Sequence, residues 1–117
     1  MKPEHRYVVA FIASSLGRGQ VFTHVHDHDA GVEIPMGGVV RPGKVDVLEG
    51  AARARISGAP PELFHEGSQA FIRLVVEGEA VSGYDYASQQ HFSGRLDGSA
   101  VQIYDYETGR YHDFHVM

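Results

Sequence analysis

Cysteine and tryptophan are both absent from these 117 residues. Without thiols there can be no disulfide, no thiolate metal site and no cysteine nucleophile. Positive charge is also scarce. Ten Lys and Arg stand against 15 Asp and Glu, a net charge of -5, so the electrostatic footprint of nucleic-acid or anionic-membrane binding is missing. Long hydrophobic runs are lacking too. Tyr7 to Ala13 is too short to span a bilayer, and its flanks do not form a signal peptide, so the expectation is a cytoplasmic protein with no membrane partner. No internal repeat, linker or low-complexity segment is evident. At 43% hydrophobic and 21% charged, the chain has the balance of a single globular domain over residues 1–117.

What is present reads as strands and turns. Tyr7-Val8-Val9-Ala10-Phe11-Ile12-Ala13 is β-branched and aromatic, which predicts a buried strand. Ser14 to Gly19 is a turn, and Gln20 to His28 a second strand that Gly31 interrupts. Val32-Glu33-Ile34 should stop near Pro35, which lacks a ladder donor. Pro42-Gly43 has the residues of a type II turn. Ala52, Ala54 and Ile56 alternate with Arg53 and Arg55 as in a half-exposed strand. Pro61 to Gly67 predicts one short helical turn, and Gln69 to Glu77 another strand.

Asp97-Gly98 and Thr108-Gly109 predict two tight hairpin turns. That register sets Phe92 against Ile103 against Phe114, and Gly94 against Val101 against Val116, on one face of a three-stranded meander. On the reverse face His91 meets Tyr104, which meets Asp113, and Tyr106 meets Tyr111. Asp105 falls opposite His112, and Glu107 opposite Arg110. The fold class expected is therefore all-β: a small single-domain barrel or sandwich, with a C-terminal three-stranded antiparallel meander and at most one short helical turn.

Histidine is the compositional excess, with 8 in the chain. In His24-Val25-His26-Asp27-His28 three imidazoles alternate along one strand. They should share a face with Phe22, while Val21, Thr23 and Val25 turn inward. Neighbouring rings of such a row can converge on one ion; His24 and His28, about 13 Å apart in an extended strand, cannot. Candidate metal ligands are thus His24, His26 and His28, with Glu33, His65, His91 or His112 completing the set. Imidazole with carboxylate suits zinc, nickel, copper or iron. A solvent-facing row that binds nothing is the competing reading.

The segment resembles two enzyme families. Thr23 to His28 is similar to the His-x-His-x-Asp-His loop of metallo-β-lactamase-type hydrolases, with Asp27 and His28 one position early. Gly19 to His26 resembles the first cupin motif, with the expected glutamate displaced to Glu33 and the second motif missing. A third resemblance joins Gly37 to Val45 and Ile56 to Gly67 with the haem chaperones of cytochrome c maturation, which have an OB-type barrel. The family's haem-attaching histidine motif is missing here, and no site is carried over.

Ser14-Ser15 and Ser82 lack the glycine elbow of a serine nucleophile. Tyrosines 84, 86, 104, 106 and 111 suit a sugar or peptide surface, or contacts between subunits. Two function classes follow. The first is a binding or assembly module, a homo-oligomer with a transition-metal site at His24, His26 and His28. The second is a small cupin-like metalloenzyme using the same histidines. Their position in a barrel, inside or out, separates the two.

Overall fold

A computed structural model describes every residue, 1–117. The elements run α1 (Pro3–Arg18), β1 (His24–Asp27), β2 (Val32–Arg41), β3 (Lys44–Glu49), β4 (Ala54–Ala59), β5 (Glu62–His65), β6 (Ala70–Glu77), β7 (Ala80–Asp85), β8 (Gln90–Asp97), β9 (Ala100–Asp105) and β10 (Arg110–Val116). Each strand pairs antiparallel with its neighbours in sequence, and β1 closes on β10 to give a ten-stranded barrel. Closure leaves no unpaired sheet edge.

The interior is filled by α1. Every residue from Tyr7 to Ala13, the run expected to be a strand, is buried in this helix. A helix enclosed on all sides is apolar all round, so it lacks the 3.6-residue stripe by which a surface helix declares itself. Pro3 starts it in the first turn, and Gly19, at φ 62, ends it by donating its N–H to the Ser15 carbonyl. Sixteen residues make about 24 Å of helix, which fits within a molecule whose principal extents are 30 × 29 × 27 Å. The helix and the inward strand positions share one cluster of 24 buried apolar residues.

Other expectations need correction. No helical turn forms at Pro61 to Gly67; β5 and the following turn occupy it. β1 begins only at His24, so Val21 is 90% exposed rather than inward, Thr23 is exposed, and Phe22 packs against the core. Pro35 does not end β2. It lies where that strand stops pairing with β1 and starts pairing with β3, and its carbonyl accepts from Gly50 N–H at 2.9 Å. Ala52 and Arg53 belong to the turn before β4.

The C-terminal meander forms with the expected faces but with each register moved by two residues. Phe92 pairs with Asp105, Gly94 with Ile103, Ile103 with His112 and Val101 with Phe114. Gly98-Ser99 rather than Asp97-Gly98 makes the first turn, and the second spans Tyr106 to Gly109. Tyr111 therefore meets Tyr104, Arg110 meets Asp105, Asp113 meets Gln102, and His91 meets Tyr84 across β7. A shift of two preserves every side chain's face, which is why the hydrophobic pattern could not detect it.

Glycine fits the wall to its contents at Gly83. A Cβ there would stand 1.9 Å from the Arg73 carbonyl oxygen and 2.4 Å from Cζ of Phe92, the ring directly across the strand pair. Gly83→Ala is expected to cost about 1–3 kcal/mol, because backbone or a fully buried ring must shift. Gly37→Ala, with open space around it, should stay within about 0.5 kcal/mol, urea titration of the two variants giving the comparison.

Candidate functional site

Two groups of polar side chains stand out, one outside the barrel and one inside its end. On the outer wall, β1 alternates Val25 and Asp27 inward with His24 and His26 outward, as its pattern requires. His26 lies between Glu33 on β2 and His115 on β10 in the strand register. His28, in the turn after β1, packs its ring on both neighbours, with centroids 4.8 Å from His26 and 4.7 Å from His115. Nε2 of His28 meets Nδ1 of His115 in a short contact. Nδ1 of His26 is shielded from solvent and has no hydrogen-bond partner.

The structure therefore gathers His26 and His28 and adds His115, a residue the sequence reading did not include. His24 stands apart, its Nδ1 2.8 Å from Thr23 Oγ1. His65 and His112 are buried inside the barrel, and His91 sits on β8 against Tyr84. As they stand, no three His, Asp or Glu side chains are arranged to hold a metal ion.

The tyrosines also lie outside. Edge-to-face contacts link Tyr84 to Tyr86 and His91, and Tyr104 to Tyr106 and Tyr111, with centroids 4.8–4.9 Å apart. A groove of about 530 Å³ runs between Arg73, Tyr84, His91 and Tyr106.

The inner group closes the end of the barrel that holds the helix N-terminus. Asp27, Glu49, His65, Asp85 and Asp105 occupy the last position of β1, β3, β5, β7 and β9, and all five side chains are buried. Each accepts a backbone N–H from the turn it precedes: Asp29 at 2.9 Å, Ala51 at 2.6 Å, Ser68 at 3.2 Å, Ala87 at 3.3 Å and Glu107 at 3.0 Å. The barrel thus repeats one hairpin device five times. In the sequence its clearest trace is Tyr84-Asp85-Tyr86 followed by Tyr104-Asp105-Tyr106, with Phe64-His65-Glu66 as a weaker copy. The turns themselves are of constant length, but unequal strands between the copies, such as the 10 residues of β2 against the 6 of β4, made the spacing irregular and hid the repeat.

The first turns of α1 plug into this ring. Tyr7 donates its hydroxyl to Asp27 Oδ2 at 2.8 Å, and Arg6 reaches Asp105 Oδ2 at 3.2 Å. His5, fully buried, has Nδ1 3.0 Å from Asp85 Oδ1 and Nε2 2.8 Å from Ser68 Oγ, and its ring lies 4.4 Å from that of His65. Burial pushes the His65 pKa down to about 4, helped by the neighbouring His5. Burial would raise Asp85, but hydrogen bonds from His5 and Ser88 outweigh it and hold that carboxyl below its ordinary value. Glu49 is pushed up by burial despite the Ala52 and Ala51 amides. Burial, then Arg6 and Arg110, lower His112, whose Nδ1 lies 3.1 Å from Asp29 Oδ2.

These features define a closed antiparallel barrel plugged by its own N-terminal helix. No protein-family model, curated protein or solved structure matches the chain. No helix is long and apolar enough to cross a membrane.

Proposed function

We propose that this chain is a binding or assembly module that works through its outer wall and takes a divalent transition metal, such as zinc, nickel, copper or iron, in the His24 to His28 segment. A cupin-like enzyme would need its histidines inside an open barrel. Here the interior is occupied by α1, and the histidines stand outside. The observation that carries the reading is the meeting of His28 Nε2 and His115 Nδ1 beside the unpartnered Nδ1 of His26. Two ring nitrogens facing each other need a proton or a cation between them, and imidazole is the commonest metal ligand.

His28 and His115 are exposed, so modest ring rotations would let them share one ion with His26, and Glu33 is the nearest carboxylate by register. His24 would be a peripheral ligand at most. Three imidazoles leave a coordination position open, which a second copy of the chain or a partner protein could fill. The exposed rings of Tyr86, Tyr106 and Tyr111 would add apolar contact area in a homo-oligomer.

The test is zinc and nickel titration of protein purified without a histidine-affinity step, followed by sedimentation. Stoichiometric uptake is expected, and His26→Ala or His115→Ala should each weaken it by about tenfold or more. His24→Ala should change it little. Absence of uptake, or equal uptake by all three variants, would contradict the assignment.

A further inference from the structure

We propose that Ser68 is an acyl-accepting nucleophile, with His5 as its general base and Asp85 as the residue that positions His5. The three side chains form a continuous hydrogen-bonded line. Ser68 Oγ is 2.8 Å from His5 Nε2, and His5 Nδ1 is 3.0 Å from Asp85 Oδ1. The direction of the protons follows from the chain's end. An ionised Asp85 can only accept, so Nδ1 of His5 must carry the proton. In the neutral ring Nε2 is then the bare nitrogen, to which the Ser68 hydroxyl donates. That is the polarity a base needs in order to take the serine proton.

Burial divides the line in a useful way. His5 and Asp85 are fully buried, whereas Ser68 lies in the β5–β6 turn at the barrel mouth and is partly exposed. Ser68 is half-buried, while its base and the base's carboxylate are held by the core. The backbone N–H groups of Gly67 and Gln69, on either side of Ser68, make no hydrogen bond within the chain. They are the donors available to an oxyanion at this turn.

A neighbouring hairpin supplies an internal contrast. Thr108 Oγ1 is 2.9 Å from His112 Nε2, and His112 Nδ1 is 3.1 Å from Asp29 Oδ2. Thr108, however, also donates to the Asp105 carbonyl at 3.2 Å, so its proton has another acceptor. Ser88, the corresponding residue of the next turn, donates to Asp85 at 2.8 Å and makes no hydrogen bond to a histidine. Ser68 alone of the three has a histidine ring nitrogen as its one side-chain partner.

The chemistry is ester hydrolysis in two halves. Ser68 Oγ bonds to the carbonyl carbon while its proton passes to His5 Nε2. The bond from carbon to the leaving alkoxide breaks, and His5 returns the proton to that oxygen. A water molecule, giving its proton to the same Nε2, then splits the acyl-serine into a carboxylic acid and free Ser68. The larger grooves are lined by other residues, so the substrate class is an activated ester of a short acyl chain.

The test uses the full wild-type chain, a fluorophosphonate probe and p-nitrophenyl acetate, with the modified residues mapped by peptide mass spectrometry. Ser68 is expected to react at least about 100-fold faster than Ser88 or Thr108, the usual contribution of a positioned base. Comparison within one folded chain does not depend on any variant's stability. Ser68→Ala should abolish acetylation at that turn. Asp85→Asn, which favours the wrong tautomer of His5, should slow Ser68 alone and flatten the pH profile of its labelling. Equal labelling of Ser68 and Ser88, or none at Ser68, would overturn the proposal.

Discussion

Replacing Ile12 with aspartate should leave no folded barrel at neutral pH. Ile12 is fully buried in the middle of α1, within the cluster that joins helix and wall. A charge placed there without a partner costs several kcal/mol, on the order of the roughly 5–15 kcal/mol that holds a whole domain. The barrel has no second core to fall back on, since its inward side chains pack on the helix itself. Val21→Asp, at a position 90% exposed, is the matched control and should stay within about 0.5 kcal/mol. Circular dichroism and urea denaturation of the two variants read the difference directly. A cooperative, nearly wild-type transition for Ile12→Asp would mean that the helix is not enclosed.

The second large effect is a loss of stability in mild acid, centred on His65. Its pKa falls from 6.5 to about 4 on folding, because burial beside His5 disfavours the charged ring. The unfolded chain therefore binds this proton more readily than the folded one. Stability from the neutral ring is complete above about pH 6.5, declines as pH falls towards 4, and is gone below it. The full effect is about 3 kcal/mol. His112, lowered by burial and by two arginines, acts with the same sign. Glu49 acts oppositely, since its raised pKa makes its ionisation unfavourable to folding above the ordinary carboxyl range. Asp85 is depressed, so its contribution disappears only in stronger acid. His65→Gln keeps an acceptor for the Ser68 amide but cannot titrate. Urea midpoints between pH 7 and 4.5 should fall distinctly less for this variant than for wild type. Parallel curves would show that His65 titrates normally.

The strands were legible wherever one face meets the core and the other meets water. Gln69 to Glu77 shows this, with Ile72 and Leu74 buried and Phe71 and Arg73 outside. Alternation at His24 to Asp27 was legible for the same reason. The helix was not, because complete enclosure erases the amphipathic signal that would have distinguished it from a strand. The meander register escaped for a different reason. Turn residues such as Thr108-Gly109 are compatible with loops of two or four residues, and both keep Phe114 inward.

The candidate sites were legible only in part. His26 and His28 are neighbours in sequence, whereas His115 reaches them only because β10 closes the barrel against β1. Ser68, His5 and Asp85 come from a turn, the helix and β7, and nothing local to any of them signals the others. The ring of inward polar side chains left a visible Tyr-Asp-Tyr trace, but its meaning depends on knowing that position 85 and position 105 each end a strand.

All of these readings rest on a helix sealed inside a closed wall, and native-state hydrogen exchange measures that seal. The amides of residues 8–13 should exchange only through global unfolding, as slowly as the most protected amides of β7 to β9. Their free energy of exchange should equal the unfolding free energy from urea. Exchange of those helix amides orders of magnitude faster than the strands, in a barrel that stays folded, would contradict the enclosed helix.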